Sequence, residues 1–421
     1  MSGALAQEFF ASRWVRCPAH VAEDAGGLPA GFRAANASAQ IKPANAIDLG
    51  LLVCDAPDPV SAARFTRSGV LAPPVLVTRD ETAANGLRAV IANSGNANAA
   101  TGPAGMEAAR LMQRATAEEL GIEPAAVAVA STGVIGVPLP TAGLQAGVAA
   151  AAAALDADGA EAFSEAIITT DAFHKRATLA VALPSGTVHL SAQAKGAGMI
   201  EPAFATMLCF VQTDAALAPE TAELLLGVCV KRSFDRISVD GQLSTNDTVI
   251  LMCSGASGVT VAPESEDELR LGEALDALLR MLAIMIVRDG EGAKRIGRVV
   301  VRGSEQEVVE RCARAVANSP LVKTALHGAD PNWGRIAQAV GATLPGTAPL
   351  ALDIAIEGIT VCAGGVAAAH DAAALQAAAA GVEIEYEVGL PGFDPADPAE
   401  TEVLFSDLSH EYVTINAEYT T

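Results

Sequence analysis

The chain reads as an α+β sandwich, and three observations predict it. Short apolar runs alternate with helical periods along all 421 residues. Strands at 177–183 and 187–194 are joined by the tight turn PSG, which makes an antiparallel hairpin; a doubly wound sheet would use helical crossovers throughout. The chain is also longer than one core usually supports, so two domains of roughly 200 residues each are expected.

The elements follow in order. LRAVIAN (87–93) and VAVAS (127–131) are strand-like, and a helix is predicted between them over 103–120. Pro103 suits its first turn, Gly121 ends it, and Ala108, Leu111, Met112 and Ala115 share one face. The Ala-rich stretch 143–160 reads as a helix followed by a loop. After the hairpin come a buried strand at 207–213, a helix at 219–233 and a buried strand at 247–253. Ser265 with Glu268 forms a capping box for a long helix, whose Leu271, Leu275, Leu278, Leu282 and Ile286 keep the apolar period. A strand GRVVVRG (297–303), a helix around Val309, Cys312, Ala313 and Val316, and a polar loop over 318–335 come next. The end reads as strands: ALDIAIEG, ITVCA, VEIEYEVG, EVLFSDLS and EYVTINAEY.

Composition narrows the function. The net charge is −22, so the whole-molecule field argues against nucleic acid and anionic membranes as partners. The most apolar stretch, LLRMLAIMIV (278–287), is about half of a membrane span and contains Arg280. The opening MSGALAQEFFASRW lacks a basic start and an apolar run, so no signal peptide is expected. The seven cysteines are odd in number and show no CxxC, which fits reduced, buried thiols in a cytoplasmic protein. Nucleotide loops, HExxH, GxSxG and Cys/His metal spacings are all missing, and no cofactor or metal is expected. GEGAKRIG, from Gly290, lacks the third glycine of a dinucleotide loop where one is needed. Of the scattered histidines, His327 has the best claim to a role, although a structural place suits each of them better.

Five stretches gather Gly, Asn, Ser and Thr at strand ends: NSGNANAATG (93–102), STGVIG (131–136), KGAGMIEPAFATML (195–208), SVDGQLSTNDT (238–248) and HGADPNWGR (327–335). Any one alone is more simply an ordinary connection; five together suggest turns that expose backbone N–H groups. The third is the most specific. Ala205-Thr206 sits directly before the apolar strand MLCFV. A cut between those two residues would give Thr206 a free α-amine beside its own hydroxyl, joining base and nucleophile in one residue. An α-amine has a reference pKa near 8, which suits a general base at neutral pH. Most Ala-Thr pairs before strands are merely structural.

The chain resembles the ornithine acetyltransferase family, the glutamate N-acetyltransferases of arginine biosynthesis. The resemblance runs from GFRAANASAQIKP near Gly31, through NSGNANAATG, ASTGVIG, TTDAFHK, KGAGMIEPAFATML, STNDT, VRDGEGA and NSPLVKTALHGADPNWGRIA, to INAEYTT. It implies an αββα sandwich with a second, smaller α/β lobe, cut after Ala205 into an α chain of residues 1–205 and a β chain of 206–421. The two chains share the sandwich, the end of the second forms the smaller lobe, and the assembly is a heterotetramer. Thr206 matches the family nucleophile. It takes the acetyl group of N2-acetylornithine and passes it to glutamate. Thr132 and Gly133 match the oxyanion hole. Thr170, Lys195, Glu291, Asn416 and Thr421 match substrate-binding positions, with Thr169 competing with Thr170. Lys195 suits a substrate carboxylate and Glu291 the ornithine ammonium. Acetyl-CoA is left open as a second donor.

Three departures stand out: Gln242-Leu243, His174 and Ala203-Phe204 replace residues more usual in the family, and they bear on fine substrate preference. Two other functions compete. One is an amidase or aminopeptidase with the same nucleophile, since scaffold alone does not fix function. The other is a binding protein for acylated amino acids that never cleaves itself.

Overall fold

The structure, a computed structural model, describes residues 9–201, 207–344, 346 and 349–418. Two sheets pack face to face. The larger has six strands in the order Val21–Glu23, Lys175–Leu183, Gly186–Lys195, Leu208–Thr213, Thr248–Cys253 and Val60–Phe65. The smaller has four: Phe32–Ala37, Leu49–Cys54, Ala89–Asn93 and Val127–Ser131. Between them lies a core of Phe32, Leu52, Val90 and Ala128 from one sheet against Leu208, Phe210, Ile250 and Met252 from the other. The central strands are apolar on both faces because helices cover the outside. Pro219–Arg232 and Glu266–Arg288 pack on the larger sheet through Leu226, Val230, Leu278 and Leu282. Gly102–Leu120 and Leu144–Ala153 cover the smaller one through Met112 and Val148. This is the αββα sandwich of the expected α+β class.

A second, smaller lobe has its own core. Its seven-stranded sheet runs Ile237–Ser238, Ala399–Ser406, Ile296–Gly303, Glu383–Gly389, Asp353–Ile356, Ile359–Ala363 and Val366–Ala367. The helix Gln306–Asn318 covers its inner face through Val309 and Val316. The other face carries ion pairs in ladders, such as Arg298 with Glu385 and Glu402. The sheets therefore do not divide the chain into two halves of similar length. The sandwich draws mainly on residues before 296, because the smaller sheet needs the whole stretch 32–131 to close it.

Local expectations need four corrections. The stretch 318–335 is no loop: it holds the helix Pro320–His327 and the start of Trp333–Thr343. The Ser319 side chain accepts from the Val322 N–H to cap the first, and Val322, Ala325 and Leu326 bury one face. A helix Ala160–Ile167 follows the Ala-rich one, pointing Phe163 and Ile167 between the sheets. A short helix Ala372–Ala378 interrupts the strand-rich end. EYVTINAEY is not a strand: its residues 411–418 lie in the helix His410–Glu418, which buries none of its residues and so carries no apolar period to read. Among the described residues no helix is long and apolar enough to cross a membrane. Cys54, Cys209, Cys229, Cys253, Cys312 and Cys362 are buried free thiols.

Candidate active site

The site starts where two parallel neighbours, Ala89–Asn93 and Val127–Ser131, end side by side. NSGNANAATG and STGVIG therefore leave the sheet together and pair with each other: the Thr132 N–H donates to the Asn93 carbonyl at 2.9 Å and the Ala97 N–H to the Val134 carbonyl at 2.9 Å. The approach is so close that a Cβ on Gly133, at φ +131°, would lie 2.3 Å from the Gly95 carbonyl carbon. Only glycine fits there. Buried polar side chains lock the two loops. Ser131 Oγ donates to Asn93 Oδ1 at 2.6 Å, and Asn246 Nδ2 donates to the carbonyls of Ala97 at 2.7 Å and Ser131 at 3.0 Å. Among the described residues neither the Gly133 N–H nor the Thr132 hydroxyl proton has an acceptor.

Lys195 ends the strand Gly186–Lys195 and is 3% exposed. Its Nζ donates to Thr132 Oγ1 and to Thr169 Oγ1, each at 3.0 Å. No described carboxylate lies within ion-pair distance of it. Burial lowers the pKa of this ammonium, against the pull of Asp171, Asp247 and Glu291.

The opposite side is built around Glu291. Thr170 Oγ1 donates to its Oε1 at 2.9 Å and Asn416 Nδ2 to its Oε2 at 2.5 Å. The Glu291 N–H donates to the Ala197 carbonyl at 3.0 Å, and a Cβ on Gly198 would come within 2.8 Å of the Glu291 carboxylate. Tyr412 stands one helical turn before Asn416 and donates its hydroxyl to Asp240 Oδ2 at 3.2 Å. Asp240 in turn accepts from the N–H groups of Met199 and Ile200, at 2.6 and 2.8 Å.

One cavity is lined by Thr132, Gly133, Thr170, Lys195, Glu291 and Asn416 together. Thr169 lines it as well: this threonine holds Lys195, whereas Thr170 holds Glu291. Ala205, Thr206 and Thr421 lie outside the described residues. The next position, Met207, is buried, and its N–H donates to Asp247 Oδ1 at 2.9 Å. Burial pushes the Asp247 carboxyl up to about 7. Four of the five Gly/Asn-rich stretches reach the cavity. HGADPNWGR does not line it, and His327 ends a helix with Nδ1 against Asp407 Oδ2 at 2.7 Å, a structural place. The sequence reading missed Asp240 and Tyr412 as lining residues. Asp240 fell inside SVDGQLSTNDT, a stretch already singled out, while Tyr412 sat in a segment taken for a strand. Among the described residues no group of His, Cys, Asp or Glu is placed to hold a metal.

A sandwich with two donors that meet no acceptor among the described residues, beside a buried cation and facing a carboxylate across the same cavity, has the parts of an enzyme of acyl transfer. Residues 33–421 match the ArgJ family. The chain is 43% identical over 403 residues to an arginine biosynthesis bifunctional protein ArgJ of Symbiobacterium thermophilum, covering 94% of this chain and 99% of that one. It is 41% identical over 393 residues to its namesake from Geobacter sulfurreducens, covering 93% and 99%. The namesake from Thermosynechococcus vestitus is 39% identical over 419 residues, covering 96% and 100%. The chain belongs to the ArgJ family, the ornithine acetyltransferases its motifs resemble, and is an enzyme, an acyltransferase of the glutamate N-acetyltransferase type.

Proposed function

We propose that the protein moves an acetyl group from N2-acetylornithine to glutamate through an acetyl ester on Thr206. The carrying observation is the charge layout of the cavity. Among the described residues Lys195 has no carboxylate within ion-pair distance and Glu291 no cation, yet both line one space. A substrate with a carboxylate and a side-chain ammonium complements that layout, as acetylornithine does.

The chemistry follows. The Thr206 hydroxyl attacks the acetyl carbonyl while its own α-amine takes the hydroxyl proton. The oxygen that gains negative charge is met by the Thr132 hydroxyl and the Gly133 N–H. Collapse of the adduct breaks the bond to the ornithine nitrogen, which receives the proton from the α-amine and leaves. The amine of glutamate then attacks the ester, its proton passes to Thr206, and acetylglutamate is released.

The nucleophile needs a cut between Ala205 and Thr206, giving chains 1–205 and 206–421. The sheet supports survival after such a cut. Leu208–Thr213 and Thr248–Cys253 lie between Gly186–Lys195 and Val60–Phe65, so strands of the second chain are flanked on both sides by strands of the first. The parts stay together as an αβ unit, and two such units form the heterotetramer. Thr421 joins Asn416 in binding substrate, acetyl-CoA serves as a second donor, and the enzyme works in the cytoplasm with its thiols reduced.

Incubation with acetylornithine and glutamate tests the reaction. Ornithine and acetylglutamate in equal amounts are expected; acetate without acetylglutamate would identify an amidase instead. Intact mass tests the nucleophile: the wild type gives two chains, the second beginning at Thr206, whereas Thr206→Ala stays one chain and transfers nothing. A cut and active Thr206→Ala enzyme would remove the basis of the mechanism.

A further inference from the structure

A cluster of three charges lies beside the cavity, and no step above uses it. Lys175 is wholly buried, and its Nζ reaches Asp171 Oδ1 at 2.6 Å and Asp289 Oδ2 at 2.5 Å. Both carboxylates also hold backbone. Asp171 Oδ1 accepts from the Gly196 N–H at 2.8 Å and its Oδ2 from the Thr169 N–H at 3.0 Å. Asp289 Oδ2 accepts from the Ala172 N–H at 3.0 Å. Three segments of the site meet here: the one bearing Thr169 and Thr170, the turn after Lys195, and the end of the helix Glu266–Arg288 that leads to Glu291.

Stability alone is a weak reason for such a cluster, since burying ions costs desolvation that apolar packing would avoid. Its charge suggests a better one. Two carboxylates against one ammonium leave an excess of one negative charge close to a cavity that holds a buried cation. The charged groups that face Lys195 are Asp171, Lys175, Asp247 and Glu291. Asp171 supports its ammonium form, and Lys175 opposes it. Burial would raise the Asp171 carboxyl, but Lys175, Lys195 and the Gly196 N–H outweigh that and hold it below the usual carboxylate range.

We propose that Asp171 is a positioning residue for acyl transfer: it ties the turn after Lys195 to the Thr169–Thr170 segment, and its charge keeps the Lys195 ammonium donating to Thr132. The proposal rests on the reading of Thr132 as an oxyanion donor. An ammonium can only donate, so it occupies a lone pair on Thr132 Oγ1 and leaves the hydroxyl proton for the oxyanion. A neutral Lys195 amine could accept that proton in a hydrogen bond and turn the donor away. Activity is therefore lost as Lys195 deprotonates, and Asp171 sets how alkaline the solution must be before that happens.

Two substitutions separate this role from simple support. Asp171→Asn removes the charge that faces Lys195; Asp289→Asn removes the other carboxylate that holds Lys175 in the same cluster. The chain has only six lysines, so ¹³C NMR of ε-labelled lysine can follow Lys195 directly in the full enzyme, with Lys195→Arg assigning the signal. Asp171→Asn is expected to lower the Lys195 titration and the alkaline limb of kcat/KM together, by ~1 pH unit, with kcat falling more than KM rises. Asp289→Asn is expected to leave both where they are. If Asp171→Asn does not fold, Lys195→Arg still decides, since a guanidinium does not titrate in this range: its alkaline limb should vanish, and a limb that persists at the wild-type pH overturns the proposal. An unmoved Lys195 signal in folded Asp171→Asn overturns it too. A signal that moves while kcat/KM does not follow refutes the donor reading of Thr132 and leaves the coupling of the two charges standing.

Discussion

The cavity has two unlike walls. On the sandwich side, Thr132, Gly133 and Lys195 sit at strand ends, Thr132 and Lys195 each 3% exposed, inside a net of buried amides and hydroxyls. On the other side, Glu291 lies in a connection, and Tyr412 and Asn416 ride on a helix that buries no residue. Groups that must meet a developing charge at fixed distance gain from rigid strand ends, where displacement costs packing. Groups that must admit one amino acid and release another gain from an element held by a few hydrogen bonds, which opens at low cost. The first wall should then govern kcat and the second KM.

Thr132→Ala gives the largest break between the walls short of losing the nucleophile. It removes one of the two donors and leaves the Gly133 N–H. A loss of ~10²–10³ in kcat is expected, with KM within a few-fold of wild type. Steady-state kinetics with acetylornithine at saturating glutamate measures it. A change confined to KM would place Thr132 with the binding groups and erase the division.

The two walls also differ in how far the sequence disclosed them. Thr132, Gly133 and Lys195 stood in stretches whose glycines and small polar residues flank apolar runs, so turn chemistry alone marked the place. Their roles came from family resemblance, because a hydroxyl before a glycine has many uses. The close contact of Gly133 with Gly95 joins segments nearly 40 residues apart and leaves no local pattern. The second wall was harder. EYVTINAEY is rich in β-branched and aromatic residues, and its helix has no buried face to impose a period, so propensity pointed to a strand. The Asp171 cluster was hidden for another reason. Its members lie at 171, 175 and 289, and only the fold brings the end of the long helix against the first two. The sandwich itself was legible as a class, since doubly buried strands read as continuous apolar runs. The smaller lobe's alternation in VEIEYEVG was equally plain: Ile384, Tyr386 and Val388 are buried, while Glu385 and Glu387 turn to arginines.

Glu291→Gln sharpens the comparison on the second wall. The amide keeps the shape but loses the charge that faces the cavity, and one of its two oxygen acceptors becomes a donor. A charged hydrogen bond contributes about 1.5–3 kcal/mol, so KM for acetylornithine should rise roughly tenfold to a hundredfold. KM for glutamate, which has no side-chain ammonium, should change far less, and kcat should stay within a few-fold. Equal effects on both substrates would mean that Glu291 only holds Thr170 and Asn416 in place.

Tyr412→Phe is the mildest test. Burial and the neighbouring Asp240 raise the phenol well above its ordinary pKa, so the hydroxyl keeps its proton through any practical assay and acts as a donor to Asp240 Oδ2 throughout. The substitution removes that one bond and leaves Asp240 with the N–H groups of Met199, Ile200 and Gln242. A neutral donor to a carboxylate at 3.2 Å is near the weak end for such bonds, so a loss of ~1 kcal/mol is expected, or several-fold in KM. The thermal midpoint should hardly move, since the helix buries none of its residues and the bond ties this helix to the body rather than the body to itself. The phenol also sets where Asn416 sits, one turn further along the same face. Its loss should therefore act on the same kinetic constant as a change at Asn416, and the pair should prove non-additive in a double-mutant cycle. A fall in kcat at unchanged KM would instead make this helix part of the rigid wall, and the division of labour across the cavity would fail at its weakest member.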